Sequence, residues 1–298
     1  MSATLRVQKI SGHSGPVPGE GAQRQQQVAK LIDTTTCIGC KACEVACLEW
    51  NDLPFRETFF DNTYQTMPET AWNYWNLIKF NEHPREDGAI QWLMRKDQCM
   101  HCADPGCPAA CPADNAIVQY QNGIVDFQQE YCIGCQYCVT GCPFNIPKFN
   151  PATKKMFKCT LCTDRVSQGL EPACIKACPT GCLHFGTKDD MKDLAHARAQ
   201  QLRDHSSYAN AGVYDPPGVG GTSVIYVLHD ITNPEAYGGL PSNPTVPWAV
   251  RLWKQPLKWL GNLAMIGGLI GVTMHYLRFG PKHPPTQSRD REGAVPHE

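Results

Sequence analysis

At 298 residues the chain has room for one large domain or two small ones. Its 27 basic and 28 acidic residues nearly cancel, which leaves no basic footprint for nucleic acid. Seventeen cysteines, an odd number in so long a chain, fall outside the class of small secreted domains framed by disulfides.

In chain order, residues 1–30 read as a polar arm with a glutamine run and without the apolar stretch or twin arginine of an export signal. Residues 31–98 hold a first run of cysteines, Cys37, Cys40, Cys43 and Cys47, spaced C-x2-C-x2-C-x3-C. Strand-like runs at 74–80 and 90–95 predict a hairpin that covers a metal site, with Trp72, Trp75 and Trp92 packing under it. Residues 99–150 carry Cys99, Cys102, Cys107 and Cys111, then two β-prone runs about an Asn122-Gly123 turn, then Cys132, Cys135, Cys138 and Cys142. Residues 151–229 carry Cys159, Cys162, Cys174 and Cys178. They continue with an amphipathic helix over 189–205 and a strand over 223–228. Met191, Leu194, Ala195, Ala199 and Leu202 form the apolar face of that helix, with Arg198 at its edge. The glycines at 218–221 read as a plain turn, because no strand–loop–helix context supports a phosphate loop. Residues 230–252 read as a linker, 253–279 as a transmembrane helix and 280–298 as a tail.

Soft thiolates at these spacings suit 4Fe–4S clusters. Two residues between cysteines let a tight loop aim successive sulfurs at one centre. The fourth cysteine, on the turn that follows, faces away; in bacterial two-cluster ferredoxins it ligates the other cluster. Structural zinc is the alternative, but it asks for no fourth cysteine in a C-x3-C-P frame. The second and third groups flank one hairpin and so share a module. Residues 31–33 before Cys37 match 124–126 before Cys132, and 183–185 after Pro179 match 117–119 after Pro112. The fold expected is therefore α+β: two ferredoxin-like modules, one inserted in the other, plus one transmembrane helix. The four ligand sets expected are Cys37, Cys40, Cys43 with Cys178; Cys159, Cys162, Cys174 with Cys47; Cys99, Cys102, Cys107 with Cys142; and Cys132, Cys135, Cys138 with Cys111. Cys182 is left over and reads as a small buried side chain in the strand after Pro179. His101, inside Cys99-Met-His-Cys102, reads as a neighbour that tunes a cluster rather than a ligand.

The segment 259–277 has nineteen residues and no formal charge at neutral pH. At 1.5 Å per residue it covers about 28 Å, close to the hydrocarbon thickness of a bilayer. Trp253, Trp259 and Tyr276 suit the interfaces, and Lys254, Lys258 and Arg278 can snorkel. Ala264, Gly268, Gly271 and His275 share one face, on which a membrane partner can pack, with His275 near a cofactor held there or in a helix-to-helix hydrogen bond. Basic residues at both ends leave the orientation open.

The four groups resemble the iron–sulfur subunits that serve molybdopterin oxidoreductases. The stretches at 29–47, 99–107, 122–135, 141–150, 157–166 and 212–229, with the single C-terminal span, resemble the β subunit of membrane-bound formate dehydrogenase. That resemblance covers roughly 27–279. It implies a non-catalytic relay of four 4Fe–4S clusters on the sixteen cysteines named. Electrons would come from a molybdopterin α subunit that oxidises formate, and would leave to a membrane cytochrome b γ subunit and quinone. It also implies the inner membrane, with the soluble part periplasmic and the catalytic partner carrying the export signal. A relay subunit of another molybdopterin oxidoreductase or of a hydrogenase is the alternative; a self-contained enzyme would need an open ligand position, and sixteen ligands for four clusters leave none.

Overall fold

The strand Val28–Asp33 organises the protein, because its alternation gives it two buried faces. The computed structural model describes residues 26–55, 64–84, 88–205, 208–252 and 257–280. Most of the N-terminal arm, Trp253, Lys254, the Lys258 side chain and the tail from 281 lie outside them. The chain divides into a body ending at Arg251 and a C-terminal unit starting at Leu252.

In the body, Val28–Asp33 pairs antiparallel with Leu183–Thr187, setting Ile32 opposite Leu183 and Lys30 opposite Phe185. The stretch before the first cysteine group thus meets the stretch after the last, which closes the outer ferredoxin-like module. On its other edge the strand runs parallel to Val224–Leu228, with Leu31 opposite Ile225, and Gly212–Tyr214 completes a four-stranded sheet. A parallel neighbour needs a long crossover, and here most of the body lies between the two strands. Side chains alternate across the sheet. Ala29, Leu31, Ile225 and Val227 meet Met191, Ala195, Ala199 and Leu202 of the helix Lys188–His205. Lys30, Ile32, Val224 and Tyr226 are buried toward the cysteines.

Two details of that helix differ from expectation. Leu194 is 41% exposed, since it lies on the flank rather than the centre of the stripe. Arg198 does not only lay its stem along the edge: its Nε donates to Asp33 Oδ2 at 2.8 Å and its Nη2 to Thr35 Oγ1 at 3.1 Å, fixing the helix to the end of the central strand.

The hairpin expected in the first half is Asn76–Pro84 paired with Ile90–Gln98. Its anchor is Glu44, buried between Cys43 and Cys47 on the helix Ala42–Trp50. Glu44 Oε1 accepts from Ile78 N at 2.6 Å, and Oε2 accepts from Thr66 Oγ1 at 2.7 Å and Tyr74 Oη at 3.0 Å. Trp75 is buried and Trp72 half-buried, but Trp92 is 46% exposed, edge-on to the Tyr64 ring. Trp92 lies across from Glu82, near the turn end of the hairpin and away from the buried base at Asn76 and Gln98.

The inserted module has its own hairpin, Ile117–Gln119 with Val125–Phe127, turning at Asn122 and at Gly123, whose φ is +89°. Residues 230–247, read as a linker, lie packed on the body. Tyr237, Leu240 and Val246 are buried, and the Tyr237 carbonyl accepts from Arg95 Nε at 2.5 Å. Their proline and glycine content builds tight turns that still let the aromatic side chain anchor. The glycine turn at 218–221 braces a cysteine loop: Ala103 N donates to Gly221 O at 2.9 Å and Asp104 N to Val219 O at 2.8 Å.

In the C-terminal unit, the helix Lys258–Phe279 is exposed along its length, and Trp259–Phe279 is long and apolar enough to cross a membrane. A Cβ added at Gly267, Gly268 or Gly271 would meet nothing within 4 Å, so this face is open to close approach by another helix.

Candidate cluster sites

The first C-x2-C loop of each group is turned by the same backbone device. The residue before the second cysteine takes positive φ in all four: Gly39 at +66°, His101 at +46°, Gly134 at +71° and Leu161 at +53°. This left-handed residue reverses the chain in one step and brings the two flanking thiols to the same side. Glycine serves where space is also short. A Cβ on Gly39 would lie 2.6 Å from the Phe80 ring, and one on Gly134 would lie 2.1 Å from the Lys154 carbonyl oxygen.

The loops place sixteen thiols in four groups. Cys37, Cys40, Cys43 and Cys178 line about 350 Å³ of empty space together with Lys96 and Cys182. Cys99, Cys102, Cys107 and Cys142 line another about 350 Å³ with His101, Phe144 and Lys158. Cys162 has Cys174, Cys47 and Cys159 around it; burial pushes its thiol well up, and those three push the same way. Burial likewise pushes Cys138 up to about 12, with Cys111, Cys132 and Cys135 as the repelling neighbours. Every expected set is thus brought together, including the members far apart in sequence. Buried thiols that repel one another in this way become compatible only when a cation takes their protons and their charge.

Contacts between the groups give them an order. Cys43 faces Cys174, Cys99 faces Cys159, and Cys107 packs with Cys132 and Cys138. The line runs from the Cys37 group through the Cys47 and Cys99 groups to the Cys132 group. Cys40 and Cys135, one in each end group, are the exposed cysteines.

Two neighbours test whether the groups suit an iron–sulfur cluster. His101 is buried, and its Nδ1 accepts from Val125 N at 3.1 Å, so a neutral ring carries its proton on Nε2. Burial, then Lys158 and Lys30, hold the ring well below the usual histidine range, so it is neutral. Among the described residues Nε2 is buried without a hydrogen-bond partner, on a residue lining the Cys99 cavity. A donor left over beside four thiols fits a cavity that takes up a sulfur-rich group. Cys182 is buried as expected, but it ends just before the strand, with Sγ 3.4 Å from Cys178 Sγ. Its thiol also donates to Cys37, which that bond holds down at about 7. Only the fold reveals this contact, since a cysteine four residues after Cys178 carries no spacing signal of its own.

Replacing His101 with Asn keeps a residue that tolerates positive φ but is too short to reach the cavity. The cluster of the Cys99, Cys102, Cys107 and Cys142 set alone is expected to fall in potential by about 20–65 mV, the one-electron equivalent of a hydrogen bond worth ~0.5–1.5 kcal/mol. Redox titration followed by EPR reads this; a shift in another signal, or none, would refute the role.

Sequence reading also missed three buried lysines. Lys30, Lys96 and Lys158 are each 3% exposed or less. Lys30 Nζ donates to Cys174 Sγ at 3.1 Å, and although burial opposes it, this cation with Lys96 holds Cys174 below the usual thiol value. The available signal was the alternation of the first strand, which puts Lys30 on an inward position between Ala29 and Leu31.

The chain matches known proteins over most of its length. Two models of a 4Fe-4S dicluster domain match residues 36–115 and 90–188, and a model described as formate dehydrogenase N, transmembrane, matches 246–287. A formate dehydrogenase iron-sulfur subunit of Haemophilus influenzae is 51% identical over 93% of this chain and 89% of its own. The nitrate-inducible formate dehydrogenase iron-sulfur subunit of Escherichia coli is 49% identical over 92% and 93%. The formate dehydrogenase-O iron-sulfur subunit of the same organism is 51% identical over 91% and 90%.

Proposed function

The chain belongs to the iron–sulfur subunits of formate dehydrogenases, and from that premise we propose which residues hold its clusters and which way its electrons run. It is an electron-transfer subunit, not the catalytic one, with two dicluster modules that imply four 4Fe–4S clusters and a C-terminal membrane anchor. The ligands are Cys37, Cys40, Cys43 and Cys178 for the first cluster, and Cys47, Cys159, Cys162 and Cys174 for the second. Cys99, Cys102, Cys107 and Cys142 hold the third, and Cys111, Cys132, Cys135 and Cys138 the fourth. The single observation that carries this reading is the gathering of Cys178 with the Cys37 loop and of Cys47 with Cys162, across most of the sequence.

The domain limits follow: an outer module in two halves, 31–98 and 151–229, with the inner module 99–150 between them. When bound, each cluster takes up and hands on one electron. The chain's own part is to fix four such stations in a row, exclude water from the middle two, and expose one thiol at each end. The body ends beside the inner module: Val246 lies against Gly106 and Arg251 pairs with Asp104. The Cys135 end is therefore assigned to the membrane partner, a cytochrome b, and the Cys40 end to the molybdopterin partner that oxidises formate. The anchor sits in the inner membrane, with the body on the periplasmic side and the face of Gly268, Gly271 and His275 turned to the cytochrome.

Formate added without oxygen to the detergent-solubilised complex is expected to reduce all four clusters, whose low-temperature EPR signals then appear. Reduction by dithionite but not by formate, with the catalytic partner intact, would assign the chain to another electron donor.

A further inference from the structure

Buried lysines occupy the junctions between consecutive clusters. Lys96 lines the first cavity. Its Nζ donates to Gln98 Oε1, and the same oxygen accepts from Lys30 Nζ at 3.2 Å. Lys30 Nζ in turn lies 3.1 Å from Cys174 Sγ in the second group. Lys158 lines the third cavity, and its Nζ donates to the carbonyl of Cys159, a member of the second group, at 3.0 Å. The junction between third and fourth groups is built otherwise. There Gly106 and Gly141 touch so closely that a Cβ on Gly106 would lie 2.0 Å from the Gly141 carbonyl oxygen, and among the described residues no buried lysine stands there.

Two ammonium groups sharing one neutral amide oxygen in a buried site are expensive unless an anion is near. Among the described residues none of the three lysines forms an ion pair with a carboxylate. Apart from the buried Asp126 carboxylate, which also acts on Lys158, the anions within reach are the thiolate groups themselves. We propose that Lys96 with Lys30 at the first junction, and Lys158 at the second, are fixed cations that raise the reduction potentials of the two clusters each one borders. The sign follows from charge. Four thiolates make each cluster site negative, and reduction adds one more negative charge, so a fixed cation stabilises the reduced form more than the oxidised form. Among the described residues the fourth cluster has no fully buried cation at its junction; the half-buried Lys155 donates to the Cys132 carbonyl there instead, so this cluster does not depend on the three buried lysines. The inference rests on the ligand sets proposed above.

The test is EPR-monitored redox titration of the detergent-solubilised complex carrying Lys96→Met or Lys158→Met. Lys96→Met is expected to lower the first and second clusters, and Lys158→Met the second and third. The expected shift is at least about tenfold in the oxidised-to-reduced ratio at fixed potential, or about 59 mV for a one-electron couple. The fourth signal stays in place in both, and Lys96→Arg restores the original values. Gln98→Glu serves where a lysine variant fails to assemble, because it places a negative charge at the same point and removes neither cation. It is expected to lower the first and second clusters. Unchanged potentials in Gln98→Glu or the assembled lysine variants, or an equal shift of all four signals, would overturn the proposal. Errors in the ligand sets would show differently, as the wrong signals disappearing from cysteine variants.

Discussion

Replacing either Cys40 or Cys178 with Ala is expected to remove the same low-temperature EPR signal, although the two lie 138 residues apart in the sequence. Both line one cavity, and neither touches the space bounded by the third group. The converse is as sharp. Cys43 and Cys47 sit one helical turn apart on Ala42–Trp50, yet Cys43→Ala and Cys47→Ala are expected to remove different signals. Cys47 belongs with Cys159, Cys162 and Cys174, whose neighbourhood pushes its thiol up to about 12 through burial and then Cys159. Each variant should lose one of four signals and up to about a quarter of the iron. Because the groups stand in series, each should also nearly abolish electron flow from formate to quinone while leaving formate oxidation with an artificial acceptor. Two signals lost for Cys40 and Cys178, or one shared by Cys43 and Cys47, would break the pairing.

This crossed pairing was legible in the sequence because short motifs repeat it. The runs 31–33 and 183–185 each copy their counterpart in the inner module, and the strands they form pair with each other, Leu31 opposite His184 and Ile32 opposite Leu183. What stayed hidden depends on partners that no local pattern names. The parallel strand Val224–Leu228 reads as a strand, but its place beside Val28–Asp33 comes from the crossover alone. Arg198 reads as a solvated edge residue until the sheet sets Asp33 opposite it. Lys30 draws no reading from the sequence, because burial of a cation makes no sense before the thiolates beneath it are in place. The segment 230–247 reads as a linker because turn residues dominate it, and only Tyr237, meeting Arg95, reveals that it is part of the core.

Gly134→Ala is expected to cost the protein its fourth cluster, while Gly181→Ala costs little. The comparison is controlled, since the two glycines have nearly the same backbone, φ +71° and +66°, and both lie in cysteine loops. Left-handed backbone alone costs an alanine ~1–2 kcal/mol. At Gly181 nothing stands within 4 Å of the added carbon, so that cost is the whole effect. At Gly134 the carbon would arrive 2.1 Å from the Lys154 carbonyl oxygen, which is backbone and cannot rotate aside. Lys155, the next residue, donates through Nζ to the Cys132 carbonyl, so the antiparallel hairpin of Lys148–Asn150 and Lys155–Phe157, whose turn holds Lys154, is tied to the same cysteine loop. Relief requires the loop to lift, which moves Cys132 and Cys135 away from Cys111 and Cys138. A penalty above about 4 kcal/mol, in the exceptional range for one substitution, is expected at this site. Iron content and EPR of the purified complex decide it: the fourth signal should vanish in Gly134→Ala with the other three retained, and all four should persist in Gly181→Ala. A full fourth signal in Gly134→Ala would mean the loop has slack, and that its glycine is there for the backbone angle alone.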